Sequence, residues 1–104
     1  MKDNKLYFLI KVTVPLDKVT EFNEVWEKES LPVWERYSKH IGSFSNIVGD
    51  PQNQILRFFE FENISKWQEL QDFLEDTEEG KALRKKLSTD YIITLERKFL
   101  KKDI

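Results

Sequence analysis

The sequence predicts an α+β domain in which helices cover one face of a four-stranded antiparallel sheet. The first indication is the order of periodicities along the chain, which runs strand, helix, strand, strand, helix, strand. The second is the stretch from Gln54 to Phe61, QILRFFEF, which carries apolar side chains on both faces. A strand with one wet face alternates apolar and polar residues, whereas a strand buried on both faces need not. This stretch is therefore the expected central strand.

Composition limits the possible classes of protein. The 104 residues predict a single domain spanning 1–104, and the 13% aromatic content favours a packed core. Seventeen basic and nineteen acidic residues give no concentrated basic surface for nucleic acid. Cysteine is absent from the sequence, which excludes disulfides and sulfur-ligated zinc. No apolar run approaches the roughly 20 residues of a membrane span, and no signal peptide is evident, so we expect a cytoplasmic protein without membrane contact.

The first half of the chain predicts a strand followed by a bent helix. Residues 6–14 place apolar side chains at every second position, which is typical of a strand facing a core. Asp17 is then the expected N-cap of a helix that reaches about residue 40. Pro32 interrupts the helical spacing, so we expect a bend or break there, with Ser30 capping the second segment.

The middle of the chain predicts a hairpin. Residues 42–48 alternate weakly and form the second expected strand. Residues 49–53 read GDPQN, a cluster of turn-forming residues between two strand-like runs. The third strand, residues 54–61, follows.

The last part of the chain predicts two helical segments and a final strand. Ser65 followed by Gln68 has the spacing of a capping box and indicates a helix start. The apolar stripe loses its phase near 76–77, so we expect a break there and a short helix over 78–87. Residues 91–100 alternate again and form the fourth expected strand.

This order of elements, βαββαβ, predicts the ferredoxin-like arrangement. Right-handed crossovers place the first and third strands in the middle, with all helices on one face. The other face then exposes Tyr7, Leu9 and aromatic residues of the third strand. Because a patch of this kind usually marks an association surface, we expect a homodimer in which two sheets pack against each other.

Several segments of the sequence are also similar to a known family. They are Phe22–Trp26, Leu31–Pro32 with Trp34, Gly42–Gly49, Phe58–Phe61 leading into Trp67, and Leu95–Leu100. In their order and spacing the chain resembles the NIPSNAP family of the dimeric α/β-barrel superfamily. The resemblance implies a ferredoxin-like subunit that dimerises through its sheet into an α/β barrel, with no defined activity. The wider superfamily includes cofactor-independent monooxygenases, haem-degrading enzymes and small-ligand-binding domains.

Aromatic residues on the helices predict a ligand pocket between the helices and the sheet. Such residues most often belong to the core, but Trp34 and Tyr37 follow the interruption at Pro32 and are expected to border an opening. Tyr37, His40 and Tyr91 are candidates for the polar contacts of a bound molecule. His40 also has a simpler interpretation, since a histidine at a helix C-terminus interacts favourably with the helix dipole.

Arg57 is the remaining candidate for ligand binding. It lies among apolar residues in the central strand, where an unpaired guanidinium would be costly. We expect Glu96 or Glu60 on a neighbouring strand as its partner, with a ligand carboxylate as the alternative. Haem-degrading relatives need an axial histidine on the second helix, and residues 65–87 contain none, so we expect no haem, metal or other cofactor.

The sequence leaves three functions open. The leading hypothesis is a homodimer that binds a small apolar or aromatic molecule between helices and sheet. The second is a cofactor-independent monooxygenase or isomerase in which Tyr37 or His40 transfers protons. The third is a structural interaction module. A dry cleft of a few hundred Å³ beside Trp34 and Tyr37 would favour the first two hypotheses.

Overall fold

The computed structural model describes residues 5–45 and 53–101, which form one antiparallel sheet covered by helices on one side. The strands are β1 (Leu6–Val14), β2 (Lys39–Ser45), β3 (Asn53–Phe61) and β4 (Thr94–Leu100). They lie in the order β2-β3-β1-β4, and every neighbouring pair is antiparallel. The predicted α+β, ferredoxin-like arrangement is therefore confirmed, with β1 and β3 in the centre.

The two faces of the sheet differ in burial, as β3 illustrates. On the helix-covered face its side chains are all buried: Ile55, Arg57, Phe59 and Phe61. The intervening side chains point to the opposite side and are only partly buried: Leu56, Phe58 and Glu60. The register places Phe8 opposite Phe59, and Trp34 of the helical layer stacks on Phe59 with ring centroids 4.4 Å apart. These aromatic rings hold the two layers of the core together.

The first helical region follows a short 3₁₀ turn at Leu16–Lys18 and contains three parts. Helix α1 (Val19–Val25) leads into a π-helical turn (Trp26–Ser30), and α2 (Leu31–Glu35) follows without a break in helical geometry. The expected helix over 17–40 is therefore wrong at its C-terminal end.

The predicted caps of this region are also wrong. Asp17 lies in the 3₁₀ turn, and neither α1 nor α2 has a side-chain N-cap. Pro32 explains the π turn, because proline has no amide hydrogen and its ring collides with the carbonyl four residues earlier in a regular helix. The amide of Leu31 instead donates to the carbonyl of Trp26, five residues back. The strain is relieved by widening the helix, and the chain does not need a new cap at Ser30.

The second helical region consists of α3 (Ile64–Asp76) and α4 (Glu78–Asp90). The predicted break at 76–77 is confirmed. Thr77 lies between the helices in extended conformation, and its hydroxyl accepts a hydrogen bond of 3.0 Å from the amide of Gly80. This hydroxyl caps α4.

The predicted start of α3 is displaced by two residues. Asn63 is the N-cap, and its side-chain oxygen accepts from the amide of Lys66 at 3.0 Å. Ser65 lies inside the first turn and does not form the expected capping box with Gln68. Asparagine and serine are comparable N-caps, so the spacing rule alone did not distinguish them.

The edge strands also differ from the predictions. β2 begins at Lys39, because the hydroxyl of Ser38 donates to the carbonyl of Trp34 at 2.7 Å where the helix ends. The part of the predicted strand beyond residue 45 and the predicted turn up to residue 52 lie outside the described residues. β4 begins at Thr94, three residues later than expected, because α4 extends to Asp90.

The side of the sheet opposite the helices is the open face, defined by Tyr7, Leu9, Phe44, Leu56 and Phe58. Leu9 lies opposite Phe58 in the β1–β3 register, and the Phe44 ring meets the Phe58 ring edge to face at 5.7 Å. Phe44 is 59% exposed. In the described ranges, no helix is both long and apolar enough to cross a bilayer.

Candidate functional site

Arg57 is buried in the central strand β3, on the face of the sheet that the helices cover. Its guanidinium stacks over the ring of Trp26 at 3.6 Å and donates to the side-chain oxygens of Asn23 and Ser43, each at 2.9 Å. Burial lowers the pKa of Arg57 to about 10, and the nearby carboxylate of Glu27 opposes this decrease. The group is therefore a buried cation at neutral pH, held by neutral partners.

The expected carboxylate partners of Arg57 are wrong. Glu60 is an odd number of positions away along β3, so its side chain lies on the open face. There it is bound by the hydroxyl of Tyr7 at 3.1 Å and by Lys5 at 3.4 Å. Glu96 is likewise on the open side of β4, 3.9 Å from Lys11.

A cavity of about 150 Å³ lies between the helices and the sheet; we call it the helix–sheet cavity. Its walls are mainly apolar and come from β1, the first helical region, α3 and α4: Ile10, Val12, Phe22, Trp26, Trp34, Leu74, Leu83 and Leu87. Arg57, Ser30 and Gln71 are buried and line its floor. Arg84, Ser88, Leu95 and Arg97 also line it but are exposed, so the cavity opens between α4 and β4.

Ser30 reaches this cavity because of the π turn. Ser30 is only 1% exposed, and its hydroxyl oxygen has no hydrogen-bond partner among the described residues. Gln71 is 6% exposed, and its amide forms no hydrogen bond within residues 5–45 and 53–101, but unlike the Ser30 hydroxyl it keeps some contact with solvent. Buried polar groups without partners are rare in folded proteins, and π turns occur frequently at functional sites. Two hydrogen-bonding groups are therefore available to a molecule in the cavity.

The structure brings together two of the five predicted site residues, Trp34 and Arg57, which both line the helix–sheet cavity. Tyr37 lies on a separate, more polar surface groove. His40 is in β2, where its Nε2 atom is 2.8 Å from the Ser43 hydroxyl and its ring packs against Phe59. Its expected position at a helix end is wrong, because the helix ends five residues earlier.

Tyr91 also lies off the cavity. It follows the last residue of α4, packs its ring on Phe22, and donates its hydroxyl to Glu21 at 2.9 Å. This hydrogen bond, with a smaller contribution from burial, raises the pKa of Tyr91. The residue therefore connects the two helical regions and does not line the helix–sheet cavity.

Sequence reasoning missed five polar residues of the cavity: Ser30, Gln71, Arg84, Ser88 and Arg97. Arg97 lies two residues from both Leu95 and Phe99. Because residues two apart in a strand point to the same face, the sequence places Arg97 on the helix-covered face with them. Gln71 lies one position after Leu70 and three before Leu74, on the edge of the apolar stripe of α3. Nothing in the sequence marked Ser30, because its orientation depends on the π turn.

We expect Ser30→Ala to stabilise the ligand-free protein by about 1 kcal/mol, because it removes a buried hydroxyl that has no partner. Urea denaturation measures the change. Ser65→Ala, at an exposed helical position, corrects for the higher helix propensity of alanine. Ser43→Ala should instead destabilise the protein, because it removes the hydroxyl that accepts a hydrogen bond from Arg57. A loss of stability in Ser30→Ala would mean that the hydroxyl is satisfied in solution.

The part of the chain that the structure describes contains no group of three or more His, Cys, Asp or Glu side chains able to hold a metal ion. The polar groups that converge on the cavity are guanidinium, hydroxyl and amide groups. Groups of these types can form hydrogen bonds with polar atoms of an organic molecule.

Comparison with known proteins identifies the fold. No protein-family model matches the sequence, and no curated protein matches it either. Among solved structures, the chain is similar to an uncharacterized NIPSNAP domain protein from Burkholderia xenovorans, with a TM-score of 0.78, 18% identity and 93% of each chain covered. A NIPSNAP family protein from Agrobacterium tumefaciens gives a TM-score of 0.81 at 17% identity, covering 99% of this chain and 90% of that one.

A third structural neighbour has a described activity. SnoaB, a cofactor-independent oxygenase from Streptomyces nogalater, matches with a TM-score of 0.68 at 12% identity, covering 97% of this chain and 95% of that one. The NIPSNAP domain proteins are thus nearer in structure than the oxygenase. The resemblance to the NIPSNAP family is confirmed at the level of the fold.

Proposed function

We propose that the protein is a small-molecule-binding homodimer that holds one aromatic or apolar molecule in each helix–sheet cavity. The observation that carries the proposal is an apolar cavity whose floor presents the buried, unpartnered Ser30 hydroxyl beside the amide of Gln71. Cavities of this composition, with few polar groups among apolar and aromatic walls, are typical of ligand sites.

The volume of the cavity limits the size of the ligand. An apolar cavity of about 150 Å³ holds one benzene ring, and this cavity has a volume of about that value. Trp34 and Trp26 supply flat walls against which a ring can stack. A molecule with a single aromatic ring therefore fits inside, and larger substituents extend through the opening at β4.

The proposed dimer covers the open face. Leu9, Phe58 and Phe44 form adjacent apolar positions on three strands, and no helix of the described residues lies over them. A twofold contact would bury the same patch on both copies. The fold shared with NIPSNAP domain proteins and the apolar character of the patch support this arrangement.

The alternative function, a cofactor-independent oxygenase or isomerase, has less support from the site. It assigned proton transfer to Tyr37 or His40, and neither residue lines the helix–sheet cavity. The observation that favours this alternative is the structural similarity to SnoaB, a cofactor-independent oxygenase. The interaction-module hypothesis assigns no role to the cavity.

The test is binding of a neutral single-ring compound, benzamide, followed by chemical-shift changes of backbone amides in NMR spectra. We expect saturable binding with a Kd on the order of 1 mM, which corresponds to about 4 kcal/mol. The shifts should be concentrated around Ser30, Trp34 and Gln71.

Two leucine-to-tryptophan variants control this test. Leu83→Trp places a larger ring at the cavity wall and should abolish binding, whereas Leu16→Trp makes the same change at a residue that is 62% exposed and off the cavity. Equal binding by both variants, or no saturable binding to the wild type, would refute the cavity as a ligand site.

A further inference from the structure

The charged residues that line the helix–sheet cavity are all cationic. They are Arg57, Arg84 and Arg97, and the described lining residues include no Asp or Glu. The chain as a whole has nineteen acidic and seventeen basic residues and a net charge of −2. The cavity is therefore a positive site in a protein of slightly negative charge, and such a site attracts anions.

Two of these arginines face each other across one strand. Ile10 of β1 pairs with Arg57 of β3 on one side and with Arg97 of β4 on the other. Neighbouring strands are about 4.8 Å apart, so the two arginine Cα atoms lie roughly 10 Å apart on the same face of the sheet. Both side chains line the cavity, and a group placed above Ile10 lies within reach of both.

Neither arginine forms an ion pair with a carboxylate in residues 5–45 and 53–101, and the nearby carboxylate of Glu27 offsets only part of the effect that burial has on Arg57. Arg57 donates to Asn23 and Ser43, which are neutral and occupy two of its five N–H groups. Arg97 has no hydrogen bond or ion pair there. Arg84, in contrast, lies 3.9 Å from Glu75 at the surface. Arg57 is buried without an ion pair, which is costly for a cation, and an anionic ligand beside it would compensate part of that cost.

We propose that the ligand is a small aromatic acid whose carboxylate is bound between Arg57 and Arg97, while its ring lies in the apolar part of the cavity beside Trp34. Arginine binds carboxylates through paired, charge-assisted hydrogen bonds, which are stronger than bonds between neutral groups. Gln71 and Ser30 provide further hydrogen bonds from the floor. This inference rests on the proposed function, since it requires that the cavity bind a ring.

The experiment compares benzoate with benzamide at pH 7, two ligands of nearly the same shape that differ in charge. Affinities are measured by NMR titration of the wild-type protein. We expect benzoate to bind at least about tenfold more tightly than benzamide, and we expect Arg97→Gln to remove about tenfold of the benzoate affinity while benzamide is unaffected. Lys85→Gln removes the same charge from an exposed residue of α4 that does not line the cavity, and it should leave both affinities unchanged.

The outcomes separate this inference from the proposed function. If benzamide binds as tightly as benzoate, the acid is not recognised and only the present inference fails. If neither compound binds, the proposed function fails together with the present inference. Equal losses of benzoate affinity in Arg97→Gln and Lys85→Gln would show a general effect of charge and would overturn the role of Arg97.

Discussion

Replacing Gly80 by alanine should destabilise the protein by about 2 kcal/mol, although the same change in an exposed helix stabilises by roughly 1 kcal/mol. A Cβ atom at this position would lie 2.2 Å from the carbonyl oxygen of Phe73 and 2.6 Å from the Cα atom of Leu74. Both are backbone atoms of α3. The carbonyl of Phe73 is also held by the hydroxyl of Thr77 at 2.6 Å, so α3 and α4 must move apart.

Chemical denaturation measures this effect, and Gly42→Ala is the matched control. A Cβ atom at Gly42 would lie 3.2 Å from the ring of Phe44, a side-chain contact that a shift of the ring by a few tenths of an ångström relieves. We expect a change of less than about 0.5 kcal/mol there. If Gly80→Ala were as stable as the wild type, the close contact of α3 with α4 would be wrong.

Replacing Phe58 by glutamate should convert the proposed dimer into a monomer. Phe58 lies in the middle of the open face, between Leu9 and Phe44. A twofold interface would bury two unpaired carboxylates at once, and each costs several kcal/mol. We therefore expect the dimer Kd to rise by a factor on the order of 1,000, which corresponds to about 4 kcal/mol.

Sedimentation velocity at micromolar concentration measures the result. The wild type should sediment at twice the chain mass of 12.5 kDa, and Phe58→Glu at the chain mass. Ile64→Glu introduces the same charge at a 57% exposed residue of α3 and should remain dimeric. A wild-type protein that sediments as a 12.5 kDa particle would refute the dimer. A dimeric Phe58→Glu variant would refute the open face as the interface.

Local sequence patterns predicted most of the fold. The alternation in residues 6–14 matches β1, and the loss of helical phase near residue 76 matches the break before α4. These features depend on neighbours in sequence, which periodicity describes directly. The helix that should have reached residue 40 ends at Glu35 instead, and the Ser38 hydroxyl donates to the carbonyl of Trp34 in its last turn.

The candidate site was less predictable, because its geometry depends on contacts between distant segments. Arg57 was recognised as a buried cation, but its partners Asn23 and Ser43 come from two other elements. His40 and Tyr91 were placed at the site from their chemistry alone. Their positions depend on where a helix and a strand begin and end, and element boundaries are the least certain part of a sequence prediction.

The π turn at Trp26–Ser30 has a further consequence for the shape of the cavity. One residue corresponds to a rotation of about 100° around a helix axis. Deleting one residue from this turn would therefore rotate α2 and carry Trp34 away from the sheet, even though every side chain of the wall would still be present. The aromatic wall of the cavity thus depends on the number of residues between Val25 and Leu31, and helix length in this segment determines the shape of the cavity in its own right.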